Sequence, residues 1–209
     1  MFTGLITGVG TVRDVTPISD GKDARFVIAV PHEGPWADMS WVKLGASIAC
    51  SGCCLTVIDR TEDSFSVEVS AESLDLTTLG GWRPGSKINL ESSLRLGDEM
   101  GGHIVSGHVD GLAEIVAVTP ENGSTRWRFM VPPSLGRFIA PKGSVAVNGV
   151  SLTVNEVFDQ GTGTEFGVNI IPHTAVHTNF SSLAVGDKVN IEIDMLARYV
   201  ARLQVAPHV

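Results

Sequence analysis

No stretch of this 209-residue sequence is long or apolar enough to span a bilayer. The N-terminus lacks the basic start and apolar core of a signal peptide, so a cytoplasmic protein is expected. No basic run appears, and 15 Lys and Arg against 23 Asp and Glu leave a formal charge of −8. Nucleic acid and anionic membrane are therefore poor candidates for partners. Cysteine is sparse and confined to one place, Cys50, Cys53 and Cys54. A reducing compartment argues against a structural disulfide, and the lack of a second cysteine cluster to complete four ligands argues against a zinc site. Free thiols and no metal are expected.

What is present is a repeat. Phe2-Thr3-Gly4-Leu5-Ile6-Thr7-Gly8 and Val105-Ser106-Gly107-His108-Val109-Asp110-Gly111 share the pattern apolar, hydroxyl, Gly, any, apolar, polar, Gly. Three further echoes follow in the same order. The segment from Gly45 to Val57 returns from Gly143 to Val154, with one residue slipped near its start. Phe65-Ser66-Val67-Glu68-Val69 returns as Phe166-Gly167-Val168-Asn169-Ile170, and Pro84 to Glu91 returns as Val185 to Glu192. Each echo lies about 100 residues downstream, which predicts two similar domains, 1–100 and 101–193, followed by a tail, 194–209. With 43% hydrophobic residues, each half can bury a core.

Each half reads as six short strands. In the first they are Leu5–Val15, Ala24–Val30, Ser47–Cys50, Cys54–Asp59, Phe65–Ser70 and Lys87–Glu91. In the second they are Val109–Val118, Thr125–Val131, Val145–Val147, Ser151–Phe158, Phe166–Ile171 and Lys188–Ile193. Thr61 to Ser64 suits a hairpin loop. Short helices are expected within Pro31–Trp41, Ala71–Leu79, Pro132–Ile139 and Thr174–Phe180. Short strands joined mostly by turns favour an all-β chain of tandem closed antiparallel barrels, since closure removes unpaired edges. In the tail, Asp194 suits a helix cap, and Met195, Leu196, Tyr199, Val200 and Leu203 fall on one helical face. That stripe either packs on its own barrels or forms a symmetric bundle between subunits.

The repeated turns are the richest in chemistry. Gly52-Cys53-Cys54-Leu55-Thr56 and Gly149-Val150-Ser151-Leu152-Thr153 make Cys54 equivalent to Ser151 and Thr56 to Thr153. Strand alternation puts each pair on one face and Leu55 or Leu152 on the other. Such a face either offers matched polar groups to a flat polar ligand or is simply a core thiol with strand hydroxyls. His103 and His108 are the titratable groups of the Gly-rich seam, near any pocket formed by those turns. His108 replaces Leu5, so the halves are not chemically equal. His173 reads as a loop residue with no part in proton transfer.

The opening Met1-Phe2-Thr3-Gly4, Gly52 to Val57, Gly101-Gly102-His103 with Ser106-Gly107-His108, Asn148 to Val154, Ile171 to Thr174, and Asn190 to Asp194 together resemble the riboflavin synthase family, over essentially the whole length. The resemblance implies two six-stranded Greek-key barrels with short helices, each binding one 6,7-dimethyl-8-ribityllumazine. It also implies a C-terminal helix holding a homotrimer, and a catalytic site between the N-terminal barrel of one subunit and the C-terminal barrel of its neighbour. Two substrates dismutate by four-carbon transfer to riboflavin and 5-amino-6-ribitylaminouracil, without metal or redox cofactor. Catalytic duties fall to Cys54, His103 and Ser47. The N-barrel ligand positions carried over are Gly4, Leu5 and Ile6; Cys54, Leu55 and Thr56; and Glu68, Val69, Ser70, Ala71, Glu72 and Ser73. The C-barrel positions are Gly107, His108 and Val109; Lys142; Ser151, Leu152 and Thr153; and Asn169, Ile170, Ile171, Pro172, His173 and Thr174.

The substrate's 7-methyl group is a carbon acid whose anion delocalises into the pteridine, so a base such as His103 and donors holding the ring suit the first step. Adding a nucleophile to the partner molecule makes it the acceptor; Cys54, water and a ribityl hydroxyl are all open. The rival reading is a non-catalytic lumazine- or flavin-binding protein of the same fold, whose second-half seam departs from the enzyme pattern. The related flavin reductases need a nicotinamide-binding domain that this sequence lacks.

Overall fold

The computed structural model describes residues 1–205 and holds two closed antiparallel barrels of six strands. The first comprises β1 (Gly8–Ile18), β2 (Asp23–Ala29), β3 (Ser47–Cys50), β4 (Cys53–Arg60), β5 (Ser64–Val69) and β6 (Lys87–Ser92). The second comprises β7 (Gly111–Glu121), β8 (Ser124–Val131), β9 (Ser144–Val147), β10 (Val150–Gln160), β11 (Gly163–Ile170) and β12 (Lys188–Ile193). Around the first barrel the order is β1-β2-β5-β4-β3-β6, and the second repeats it as β7-β8-β11-β10-β9-β12. Neighbours that are not consecutive in sequence, β2 with β5 and β3 with β6, make this a Greek key.

Each interior is filled by large apolar side chains from equivalent positions. Phe26, Ile28, Phe65 and Leu79 are buried in the first core; Trp127, Phe129, Phe166 and Phe180 are buried in the second. Each such side chain contributes about 1.5–3 kcal/mol through burial. Register slips also recur, at Val12/Asp14 and Val57/Asp59 in one barrel and at Ile115/Ala117 and Val154/Val157 in the other. An extra residue bends a strand and increases its twist, which helps close a small barrel.

The two barrels meet at their equivalent hairpins. Ser51 and Gly52 join β3 to β4 with φ of 45° and 85°, and Asn148 and Gly149 join β9 to β10 with 47° and 79°. Two left-handed residues in a two-residue loop match the twist of the flanking strands. The tips touch: a Cβ on Gly52 would stand 2.8 Å from the Gly149 nitrogen, and one on Gly149 would stand 2.8 Å from the Gly52 nitrogen. Buried asparagines tie the contact together. Asn89 Nδ2 donates to the Asn148 carbonyl at 2.9 Å, and Asn190 Nδ2 donates to the Ser51 carbonyl at 2.8 Å.

The helical segments are shorter than the sequence suggests. Pro31–Trp41 holds two 3₁₀ turns, Gly34–Ala37 and Met39–Trp41, separated by extended Asp38, whose carboxylate caps the second turn by accepting from Ser40 N. α1 (Ala71–Leu76) stops at extended Thr77 before a 3₁₀ turn, Thr78–Gly81. α2 is a single turn, Pro133–Gly136, and α3 (Pro172–His177) begins two residues early because Pro172 suits a first helical position. β1 and β7 start three and two residues late, at Gly8 and Gly111.

The tail forms α4 (Met195–Val205), capped by Asp194 Oδ1, which accepts from Leu196 N at 2.9 Å. Met195 is half-buried, but the rest of its apolar stripe is uncovered: Leu196 is 74% exposed, Leu203 72%, and Tyr199 and Val200 are exposed too. The end of the expected 194–209 segment, 206–209, lies outside the described residues. No helix among the described residues is long and apolar enough to cross a membrane.

Candidate active site

Between the barrels the two opening segments pair with each other. Phe2 N donates to the Val105 carbonyl at 2.7 Å and Val105 N to the Phe2 carbonyl at 3.1 Å. Phe2 and Val105 are buried with Ala49 and Ala146, whose small side chains leave room for them. The next residues turn away from a strand path because Gly4 and Gly107 adopt φ of 76° and 80°.

A buried carboxylate gathers the N–H groups that this turn leaves free. Glu91 Oε1 accepts from Thr3 N at 2.6 Å and Thr3 Oγ1 at 2.7 Å, and Oε2 accepts from Gly4 N at 3.0 Å. Glu192 Oε1 accepts from Ser106 N at 2.6 Å, and Oε2 from Gly107 N at 2.8 Å and His108 N at 3.0 Å. Burial pushes both carboxyls above their ordinary pKa, against the opposing pull of those N–H groups.

Each opening then lands on the other barrel. The Gly4 carbonyl accepts from Ser151 N at 2.9 Å, and the Gly107 carbonyl accepts from Cys54 N at 2.8 Å. The fit is tight, since a Cβ on Gly4 would lie 2.5 Å from Ser151 Cβ and one on Gly107 2.6 Å from Cys54 Cβ. Ile6 packs against the second core and Val109 against the first. The resemblance groups Gly4 and Ile6 with Cys54, and Gly107 and Val109 with Ser151; the contacts cross instead, Gly4 and Ile6 lying against Ser151 and the second core, Gly107 and Val109 against Cys54 and the first.

Around Cys54, Leu55 points into the core while Thr56 is exposed, as alternation requires, and Ser47 pairs with Thr56 across β3 and β4. β4 pairs with β5, which leads through exposed Glu68, buried Val69 and exposed Ser70 to Ala71, Glu72 and Ser73 in the first turn of α1. Ser70 Oγ accepts from Ser73 N at 3.4 Å. The second group is built alike from Ser151, Leu152 and Thr153, then exposed Asn169, buried Ile170, exposed Ile171, and Pro172, His173 and Thr174 opening α3. The His173 ring stacks on His177 at 4.2 Å. Lys142 donates its N–H to the Val154 carbonyl at 2.8 Å, as Gly45 does to Val57, and both have positive φ. Only the second group thus gains a cation at this position.

His103 belongs to the second group. Its Nδ1 lies 2.7 Å from Ser151 Oγ, its N–H donates to the Thr3 carbonyl at 3.2 Å, and its Nε2 is buried without a protein partner. Burial lowers its pKa, opposed by the charge of Asp194. The three residues assigned to catalysis therefore divide, Cys54 and Ser47 on one barrel and His103 on the other. Among the cysteines, burial raises the Cys50 thiol well above its ordinary pKa and pushes Cys53 up to about 12, leaving half-exposed Cys54 as the accessible thiol.

A lumazine binding domain model matches residues 3–93 and again 106–194. A riboflavin synthase of Brucella abortus is 50% identical over 208 residues, covering 97% of this chain and 98% of its own length. The riboflavin synthase of Bacillus subtilis is 39% identical, with 97% and 89% covered. The chain belongs to the riboflavin synthase family. Among solved structures, LumP complexed with 6,7-dimethyl-8-(1'-D-ribityl) lumazine superposes with a TM-score of 0.79 at 24% identity, covering 92% of this chain and 99% of that one, and shares the fold.

A wide cavity lies away from both groups. A groove of about 690 Å³ runs between the barrels beside Trp82, Arg83, Lys87 and Lys188, and contains none of the carried-over positions. The two groups instead lie on open faces; of their residues, Ile6 borders a smaller hollow of about 430 Å³ with Val176 and His177. The sequence reading missed Glu91 and Glu192, although both end the echo that includes Asn89 and Asn190. Their signal was a charged residue at a strand position flanked by core residues.

Proposed function

We propose that this chain converts two molecules of 6,7-dimethyl-8-ribityllumazine into riboflavin and 5-amino-6-ribitylaminouracil, acting as a homotrimer in the cytoplasm. The observation that carries the reading is the crossed seam. Each opening is held on its own barrel by a buried carboxylate and laid against the other, which gives two like sites with unlike reactive groups. Two like sites suit a reaction whose two reactants are the same compound; unlike groups suit a reaction in which one gives and one receives.

In the second group, His103 and Ser151 form a pair in which burial keeps the imidazole neutral at neutral pH and so available as a base toward the 7-methyl carbon acid. Lys142 supplies positive charge for the anion that forms. In the first group, Cys54 is the accessible nucleophile, with Ser47 and Thr56 as neighbouring donors. Both faces are open in a single chain, which fits a site completed by another subunit. The exposed stripe Leu196, Tyr199, Val200 and Leu203 fits a helix bundle that holds subunits together, and Arg198 fastens that helix to its own barrel through Asp110 at 2.8 Å. Bringing two large rings face to face contributes through orientation. Three free thiols suit a reducing compartment.

The test is anaerobic incubation of the purified protein with 6,7-dimethyl-8-ribityllumazine. One riboflavin should appear per two substrates consumed. Tight binding without riboflavin would assign the chain to the non-catalytic lumazine binders instead.

A further inference from the structure

We infer that Glu91 and Glu192 are crossed positioning residues: the carboxylate of each barrel shapes the ligand site of the other. The inference rests on the lumazine-binding reading above and adds to it which residue controls which site.

The geometry runs along one row in each barrel. Cys54 pairs with Ala49 and Ala49 with Glu91; Ser151 pairs with Ala146 and Ala146 with Glu192. Simple proximity along these rows would have Glu91 serve the Cys54 site and Glu192 the Ser151 site. The hydrogen bonds say otherwise. Glu91 holds Thr3 and Gly4; the Gly4 carbonyl meets Ser151 N, and nearby Ile6 packs on the second core. Glu192 holds Ser106, Gly107 and His108; the Gly107 carbonyl meets Cys54 N, and the following Val109 packs on the first core.

Both carboxylates are buried, 4% and 3% exposed, in an otherwise tightly packed seam. Burying a carboxylate is costly unless it is well hydrogen-bonded, and here each receives three N–H or O–H donors. A glutamine of the same shape has one oxygen and one NH₂ group, so it would turn a donor toward a backbone N–H that needs an acceptor. The opening would then lift from the opposite barrel while the barrel that carries the substitution keeps its core.

The experiment uses full-length Glu91→Gln and Glu192→Gln with 6,7-dimethyl-8-ribityllumazine as the probe. Ligand protection of Cys54 against a thiol-alkylating reagent reports the first-barrel site, because Cys50 and Cys53 are buried at 0% and 6% exposure. Equilibrium titration reports the total number of ligands bound. Glu192→Gln should weaken protection of Cys54 about tenfold or more while one ligand still binds elsewhere. Glu91→Gln should leave protection of Cys54 intact and weaken the other ligand by a similar factor. Glu91→Asp and Glu192→Asp, which keep the acceptor charge, should partly restore each site. If Glu91→Gln fails to fold, Thr3→Val removes one donor to the same carboxylate and should weaken the ligand that does not protect Cys54. Loss of Cys54 protection in Glu91→Gln, or equal weakening of both ligands in both variants, overturns the crossed assignment. A wild-type protein that binds no lumazine overturns the underlying reading, and this inference with it.

Discussion

The first barrel presents Cys54 beneath Gly107, and the second presents Ser151 beneath Gly4. Around those contacts the barrels agree in strand order, in bulge position and in the carboxylate that holds each opening. They part, among other places, at Cys54 against Ser151, Leu5 against His108, Gly45 against Lys142, and His103 with no counterpart ahead of Phe2. The two copies keep the frame of the seam and differ in the reactive side chains set on it. The shared features are backbone contacts, which a copy inherits whole, whereas the differing ones are single side chains free to diverge without disturbing a core.

The comparison is broken most severely by separating the subunits. Ending the chain before Asp194 should leave both barrels folded and both lumazine sites binding, because neither core uses α4. If the proposed trimer forms the site, turnover should fall by about a thousandfold or more, since that trimer orients two substrates across subunits. Light scattering that still shows a trimer for this truncation would refute the assembly role of α4.

Removing the imidazole comes next. His103→Ala should lower single-turnover rates by about two to four powers of ten while lumazine affinity changes little. The same residue sets a pH dependence. Its folded pKa lies below the ordinary histidine value, so the neutral form is fully present above about pH 6.5 and is lost as pH falls through the depressed value. Its contribution to stability has the same sign, present at neutral pH and lost on acidification. The wild-type rate should show an acid limb below the ordinary histidine pKa, and His103→Ala should lose that limb; an unchanged limb assigns it to another group.

The third test sets the equivalent residues directly against each other. Cys54→Ser should reduce turnover by about tenfold or more with binding nearly intact, because a thiolate is far more accessible than an alkoxide. Ser151→Ala should act chiefly on affinity at the second barrel, where it also releases His103 Nδ1. Equal losses of turnover, with binding unchanged in both, would show the barrels to be functionally alike.

The smallest effect is expected at Lys142. A lysine at φ 66° carries a backbone cost of about 1–2 kcal/mol that glycine avoids. Lys142→Gly, which copies Gly45 into the second barrel, should offset part of that by thermal unfolding while weakening lumazine binding at the second site. A loss of stability instead would mean that the lysine side chain holds the fold.

Much of this was readable from local spacing. The echo of Phe65 to Val69 in Phe166 to Ile170 marks an inward-outward strand in both halves, and Gly52 and Gly149 mark equivalent turns ahead of corresponding strands. Glu91 and Glu192 stood in plain view at the end of a repeated strand, but a carboxylate there has no visible partner until Thr3 and Ser106 fold back onto it. Likewise the helical face of Met195 to Leu203 was legible, while its exposure was not, because exposure depends on what the barrels leave uncovered.

By itself the sequence determined two copies of one six-stranded unit, their turns and the short polar residues at equivalent strand starts, since all of these follow from periodicity and backbone preference over a few residues. Only the tertiary structure decided that each opening serves the opposite barrel and that His103 stands with Ser151 rather than Cys54. The physical reason is that a carbonyl such as that of Gly4 must find a donor somewhere, and which N–H is within reach is settled by how the two closed barrels pack, not by order along the chain.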